Sequence, residues 1–170
     1  MESKENIVFL GMMGSGKSSI GYLVSKKLNL DLQDIDHIIE NKLKMKISEV
    51  FKIKGERFFR EFEEKITLKS LKRNNTIISL GGGAFMNVKI REEVLNNNLS
   101  FWLKWTSKTL INRIQNSIKR PVSFKATNNE LLNLIKKRSN FYKKANYKIN
   151  CENLSKNEIV NKVINIYENY

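Results

Sequence analysis

The sequence predicts an α/β fold, a parallel β-sheet with helices connecting its strands. Three observations carry this. Short apolar runs (Ile7–Leu10, Thr76–Leu80, Leu99–Leu103) alternate with segments whose apolar residues recur at helical spacing, the pattern of parallel strands joined by helical crossovers. The first run breaks into glycines and then into a lysine and serines that open a helix. Residues foreign to a core, the D34-I-D36 pair and the triple glycine 81–83, fall where strands end. That is the side on which parallel sheets bind ligands.

In chain order, Ile7–Leu10 is a buried strand, and Lys17–Leu28 is a helix on Ile20, Leu23, Val24 and Leu28. Leu30–Asp34 is a short strand ending in acids. Asp36–Lys42 and Ser48–Ile53 read as helices, the second with Ser48 as its cap. Gly55–Leu71 is an amphipathic helix with Phe58, Phe59, Phe62, Ile66 and Leu71 available to a core. Thr76–Leu80 is a strand halted by Gly81-Gly82-Gly83. Lys89–Leu95 is helical, Leu99–Leu103 a strand with Trp102 and Trp105 near its end, and Lys108–Ile118 a helix. Arg120–Thr127 is a loop holding the only proline. A helix over Asn129–Lys144, a strand over Tyr147–Asn150 and a helix over Ser155–Tyr167, capped by Ser155, complete the chain.

Length and composition bound the function. A chain of 170 residues with 41% apolar and 28% charged residues fits one soluble domain, residues 1–170. No apolar run approaches a membrane span, and the first ten residues carry no secretory signal, so the cytoplasm is the expected compartment. A lone cysteine, Cys151, and a lone histidine, His37, exclude an internal disulfide and a Cys/His zinc site. His37 reads as an exposed residue at a helix start. The net charge of +14 is spread over nearly every segment. It reads as a lysine-rich surface rather than the stripe that nucleic acid needs, and no nucleic-acid partner is expected.

Residues 11–18, GMMGSGKS, fit G-x-x-x-x-G-K-[ST], the phosphate-binding loop, in its required strand–loop–helix context. Glycines let N–H groups turn toward phosphate oxygens, and the following helix adds its positive end. Lys17 would reach the β- and γ-phosphates and Ser18 would ligate Mg²⁺. The base-reading N-K-x-D of GTPases is absent, and the chain is short for a motor. Glycines stand where many such proteins carry a metal-holding acid after the third strand, so the acids Asp34 and Asp36 take on that interest. Spaced i, i+2 in an extended segment, they would point to one side, one toward Mg²⁺ and the other toward an acceptor hydroxyl and its proton; the alternative is a polar strand end with a helix cap.

Further along, GERFFREFEE (55–64) sets Arg57 and Arg60 at i, i+3. Arg60, among phenylalanines, is either the partner of Glu63 or Glu64 or a fork for an anion. The 81–83 glycines offer backbone donors and close approach. Arg120, before Pro121, starts an irregular segment that suits a closing lid. Arg113 lies on the helix before it, and Arg138 stands four residues before Tyr142.

Taken in order, GMMGSGKSSIG, D34-I-D36, GERFFREFEE, LGGGA (80–84), R120-P121 and R138-SNFY142 resemble the shikimate kinases over roughly residues 7 to 145. The resemblance implies a three-layer α/β/α P-loop kinase fold with a five-stranded parallel sheet. It further implies a substrate-binding helical segment near 34–62 and a lid near 113–127. The implied reaction moves the γ-phosphoryl of ATP to the 3-hydroxyl of shikimate, with Mg²⁺, on the way to chorismate and the aromatic amino acids. ATP would lie on Gly14, Ser15, Gly16, Lys17, Ser18 and Ser19, with Arg113 near the adenine and Arg120 as the lid arginine. Asp36 would bind shikimate and act as base, with Ser18 and Asp34 at the metal. Arg60 and Arg138 would hold the substrate carboxylate, and Gly82 would donate a backbone contact to the substrate. Beyond Tyr142 the match fades and no contact is carried over. The family analogy favours a monomer. The rival readings are a related small-molecule kinase acting on gluconate or a nucleoside monophosphate, a basic nucleotide-dependent nucleic-acid binder, and a non-catalytic ATP-binding relative.

Overall fold

The computed structural model describes residues 5–116 and 126–170. Its sheet contains β1 (Ile7–Leu10), β2 (Asp31–Asp34), β3 (Thr76–Ser79), β4 (Leu99–Lys104) and β5 (Tyr147–Asn150), in the order β2-β3-β1-β4-β5. Every pairing is parallel, with Val8 opposite both Ile78 and Ser100. The chain leaves β1 toward one edge and leaves β3 toward the other. The crevice beyond the ends of β1 and β3 is therefore the switch point at which such sheets take ligands.

Around the sheet lie α1 (Lys17–Leu28), α2 (Ile35–Leu43), α3 (Ile47–Leu71), α4 (Val88–Asn97), α5 (Ser107–Gln115), α6 (Asn128–Tyr142) and α7 (Lys156–Glu168). The alternation of β1 sorts them into layers. Ile7 and Phe9 pack with Ile20 and Val24 of α1 and with Ile159 and Val163 of α7. Val8 and Leu10 face the other way, toward Ile39, Phe59, Ile66, Ile90 and Ile135 of α2, α3, α4 and α6. Each such buried side chain contributes roughly 1.5–3 kcal/mol. The expected three-layer α/β/α arrangement and five-stranded parallel sheet are both present.

Several local expectations need correction. Asp34 and Asp36 do not share an extended segment. Helix α2 begins at Ile35, so Asp34 is its N-cap, accepting from the His37 N–H at 3.1 Å, and Asp36 sits in the first turn. Ser48 does not cap α3, which starts one residue earlier. There Glu49 accepts from the Lys46 N–H at 2.8 Å and Glu40 from the Ile47 N–H at 3.0 Å. The two helices read on either side of residue 54 form one span kinked at Gly55, whose φ of 82° is non-helical. A 3₁₀ turn at Ala84–Met86 follows the triple glycine. Ser155 does cap α7, in a reciprocal box with Glu158.

Candidate active site

The phosphate loop leaves the centre of the sheet. Gly11, Gly14 and Gly16 have φ of 144°, 78° and 90°, values that a side chain would strain. Gly16 occupies the N-cap of α1 with no side-chain cap, and the first turn of α1 has no acid. The N–H groups of the first turn and the positive end of the helix suit an anion. Lys17 is buried, and its Nζ donates to the carbonyls of Gly11 at 2.9 Å and Met12 at 3.0 Å. Ser18 and Ser19 are exposed. Together with Gly14, Gly16 and Lys17 they line a hollow of about 100 Å³ whose opposite wall carries Asp34 and Asp36. Ser15 lies beneath the loop instead. Its N–H donates to Met12 O at 3.1 Å, and its buried hydroxyl faces Gly11 with no partner among the described residues.

Among the described residues no cluster of three or more His, Cys, Asp or Glu side chains could enclose a metal. The side-chain oxygen donors lining the hollow are the hydroxyls of Ser18, Ser19 and Ser79 and two carboxylates, all hard oxygens. That set fits Mg²⁺, which takes one or two carboxylates and completes its shell with water and phosphate.

The triple glycine is explained by space rather than by conformation, because none of Gly81, Gly82 and Gly83 has a positive φ. A Cβ on Gly81 would fall within the Glu63 carboxylate and 2.8 Å from Asp36 Oδ1. One on Gly82 would stand 3.2 Å from the Met13 nitrogen and 3.4 Å from an Arg138 guanidinium nitrogen. On Gly83 it would stand 2.7 Å from Arg60. Three consecutive bare positions thus receive Asp36 with Glu63, then Arg138, then Arg60. Tyr142, buried and pushed up to about 12 by that burial, donates its hydroxyl to Gly82 O and so ties α6 to this turn.

Arg60 takes the ion-pair reading of the sequence. It pairs with Glu63 at 2.6 Å and Glu56 at 3.4 Å, and its guanidinium lies over the rings of Phe59 and Phe51 at 5.1 and 5.8 Å. It also lines a cavity of about 450 Å³ together with Glu63, Gly83, Arg138 and Phe141. Arg57, by contrast, points to solvent and pairs with Glu61. Burial pushes the Glu63 carboxyl above its usual range, against the pull of Arg60. Arg138 reaches back toward the phosphate loop, 3.7 Å from the Met12 sulfur. The two hollows lie on either side of the glycine turn, with Leu80 lining one and Gly83 the other, and Asp36 and Glu63 converge on Gly81 between them.

Arg113 donates to Gly14 O at 3.3 Å and stacks on Trp105. Arg120 lies outside the described residues, as do residues 117–125 of the expected lid. Sequence reasoning passed over Trp105, the hydroxyl of Tyr142, and Lys137 at the rim of the larger cavity. Only the place of Tyr142 four residues after Arg138 and of Trp105 near the end of a strand gave any hint of them.

The comparisons agree with this geometry. A family model described as shikimate kinase matches residues 13–168. A shikimate kinase of Bartonella quintana is 36% identical over 168 residues, covering 98% of this chain and 80% of that protein. One from Bacillus licheniformis is 37% identical over 162 residues, covering 94% of this chain and 92% of that protein. The solved structure of shikimate kinase from Acinetobacter baumannii in complex with shikimate superposes with a TM-score of 0.91 at 25% identity, covering 99% of this chain and 95% of that one. With a family model spanning nearly the whole chain and relatives above one-third identity, the chain belongs to the shikimate kinase family.

Proposed function

We propose that this chain transfers the γ-phosphoryl group of ATP to the 3-hydroxyl of shikimate, giving ADP and shikimate 3-phosphate. The observation that carries the reading is the glycine turn 81–83. It faces two carboxylates on one side and two arginines on the other, directly against the phosphate loop. An acceptor bearing both a hydroxyl and a carboxylate matches that polarity, since guanidinium forks suit carboxylates.

In this reading ATP lies along Gly14, Gly16, Lys17, Ser18 and Ser19, on the N–H groups that open α1. Ser15 supports the loop from below. Lys17 exchanges its loop carbonyls for the β- and γ-phosphate oxygens. Ser18 and Asp34 would hold Mg²⁺, which draws charge from the phosphates when bound. Arg60, oriented by Glu63 and the phenylalanine faces, holds the shikimate carboxylate with Arg138, and the Gly82 backbone donates a further contact to the substrate. Asp36 accepts the proton of the attacking hydroxyl as the new P–O bond forms and the bond to the β–γ bridging oxygen breaks. Arg113 meets the adenine and Arg120 closes over the phosphates. The chain acts as a single unit of residues 1–170, as a cytoplasmic monomer without nucleic-acid or membrane partners. The described residues contain no helix long and apolar enough to cross a membrane.

Phosphorus NMR of the product tests the regiochemistry. A phosphomonoester coupled to the proton on carbon 3 is expected, and a phosphoester at another position would contradict the role given to Asp36.

A further inference from the structure

Trp105 stands just past the end of β4, and neither the phosphate-loop motif nor the acceptor contacts use it. Its surroundings are nevertheless specific. The indole Nε1–H donates to the carbonyl of Ser15 at 2.9 Å. The guanidinium of Arg113 lies over the indole, 3.7 Å from the ring centroid. Arg113 in turn donates to the carbonyl of Gly14 at 3.3 Å. Indole, guanidinium and two consecutive loop carbonyls thus form a closed clasp. Helix α5 packs against the same point, since a Cβ on Gly14 would stand 3.5 Å from Arg113 Cβ and 3.6 Å from Ile114 Cγ1. The start of α5 is fixed as well, because Glu152 accepts from the Thr106 N–H at 2.9 Å.

A glycine-rich loop loses more conformational freedom on ordering than other segments. Fixing the carbonyls of Gly14 and Ser15 before the ligand arrives removes part of that cost from binding. The same stack holds the Arg113 guanidinium flat against one ring. Arg113 itself is exposed, so a planar base can lie on its outer face as a third layer.

We infer that Trp105 is a positioning residue for the nucleotide, clasping the phosphate loop from behind and presenting Arg113 to the base. This rests on the nucleotide placement given above and extends it to a residue outside the motif. Trp105 also packs against both cores, but the polar contacts and the stack of the clasp reach only the phosphate loop and α5, so their loss acts on ATP and leaves the acceptor side intact.

The test uses the full chain with Trp105→Leu and Trp105→Phe. It measures calorimetric binding of a non-hydrolysable ATP analogue with Mg²⁺, together with the KM of each substrate. Trp105→Leu is expected to weaken analogue binding and raise the ATP KM by about tenfold, the loss of one cation–π contact and one hydrogen bond. The shikimate KM should stay within about twofold. Trp105→Phe loses the N–H but keeps a smaller ring face, so it should recover part of the loss. In the Trp105→Leu background, Arg113→Ala should cost less than it does alone, because the stack is already gone. Unchanged analogue affinity in Trp105→Leu, equal losses for both substrates, or additive effects of the two changes would each overturn the inference. Analogue binding is read without any acceptor. A chain that binds the analogue but does not phosphorylate shikimate would therefore overturn the proposed reaction and leave the clasp to be judged separately.

Discussion

The phosphate end and the acceptor end of the site both depend on glycines, for opposite reasons. At the phosphate end the demand is conformational. Gly16 has φ of 90° and open space where a Cβ would go. At the acceptor end the demand is spatial. Gly81–Gly83 have no positive φ, yet Cβ atoms there would run into Asp36, Glu63, Arg138 and Arg60. A loop shaped by backbone conformation announces itself within a few residues of sequence. A turn shaped by crowding depends on side chains twenty to sixty residues away.

The largest effect expected is on the chemistry that both ends share. Lys17→Ala should lower kcat by about a thousandfold or more, the scale of a lost charge-stabilising donor at a transition state. Steady-state ADP release checks this, and unchanged turnover would break the assignment of the phosphate end. Asp36→Asn should lower kcat by on the order of a hundredfold or more with ATP binding retained. An effect confined to the ATP KM would move Asp36 from the acceptor end to the phosphate end.

The glycines then sharpen the comparison directly. Gly81→Ala displaces the flexible ends of Glu63 and Asp36, so it should raise the shikimate KM by about ten- to a hundredfold, as if charged hydrogen bonds worth roughly 1.5–3 kcal/mol were lost. The ATP KM should hardly move. Gly16→Ala meets no neighbour and carries a backbone cost of about 1–2 kcal/mol, which should appear in ATP affinity instead. If both substitutions impaired the same substrate, the two ends would not be separable as described.

Among the arginines, Arg60→Ala and Arg138→Ala should both raise the shikimate KM more than the ATP KM. Arg60→Ala should also lower the melting temperature, because it strips the buried Glu63 of its partner. A melting temperature of Arg60→Ala equal to that of the parent would show that the pair adds nothing to stability.

The smallest effect is on pH dependence. The Glu63 carboxyl is raised from 4.5 by burial, so the folded state holds its proton more tightly than the unfolded chain does. Its contribution to stability is fully present below about 4.5 and is lost as pH rises through the raised value. Thermal melts of Glu63→Gln should therefore decline less than those of the parent between pH 4.5 and 7. An identical decline would place that titration elsewhere.

Much of this was legible in local sequence. The strands, α1 and its phosphate loop, and the Ser155 cap of α7 follow from periodicity, glycines and capping residues within a few positions. Arg60 and Arg138 could be singled out by the shikimate kinase resemblance and their aromatic neighbours. The geometry of Asp34 and Asp36 could not be read, because whether Ile35 begins a helix or continues a strand depends on the docking of α2 against α3. The Tyr142 bond to Gly82 and the Trp105 bond to Ser15 join residues 60 and 90 positions apart, and no local pattern encodes such pairs. The crowding that makes residues 81–83 glycine is long-range in the same way.

The most direct test of the account is coupled ADP release from ATP and Mg²⁺ with shikimate, gluconate and AMP offered in turn. Turnover with shikimate and none above background with the other two is the predicted result. Preference for gluconate or AMP would leave the phosphate end standing and contradict the reading of Asp36, Arg60 and Arg138 as the acceptor site for shikimate.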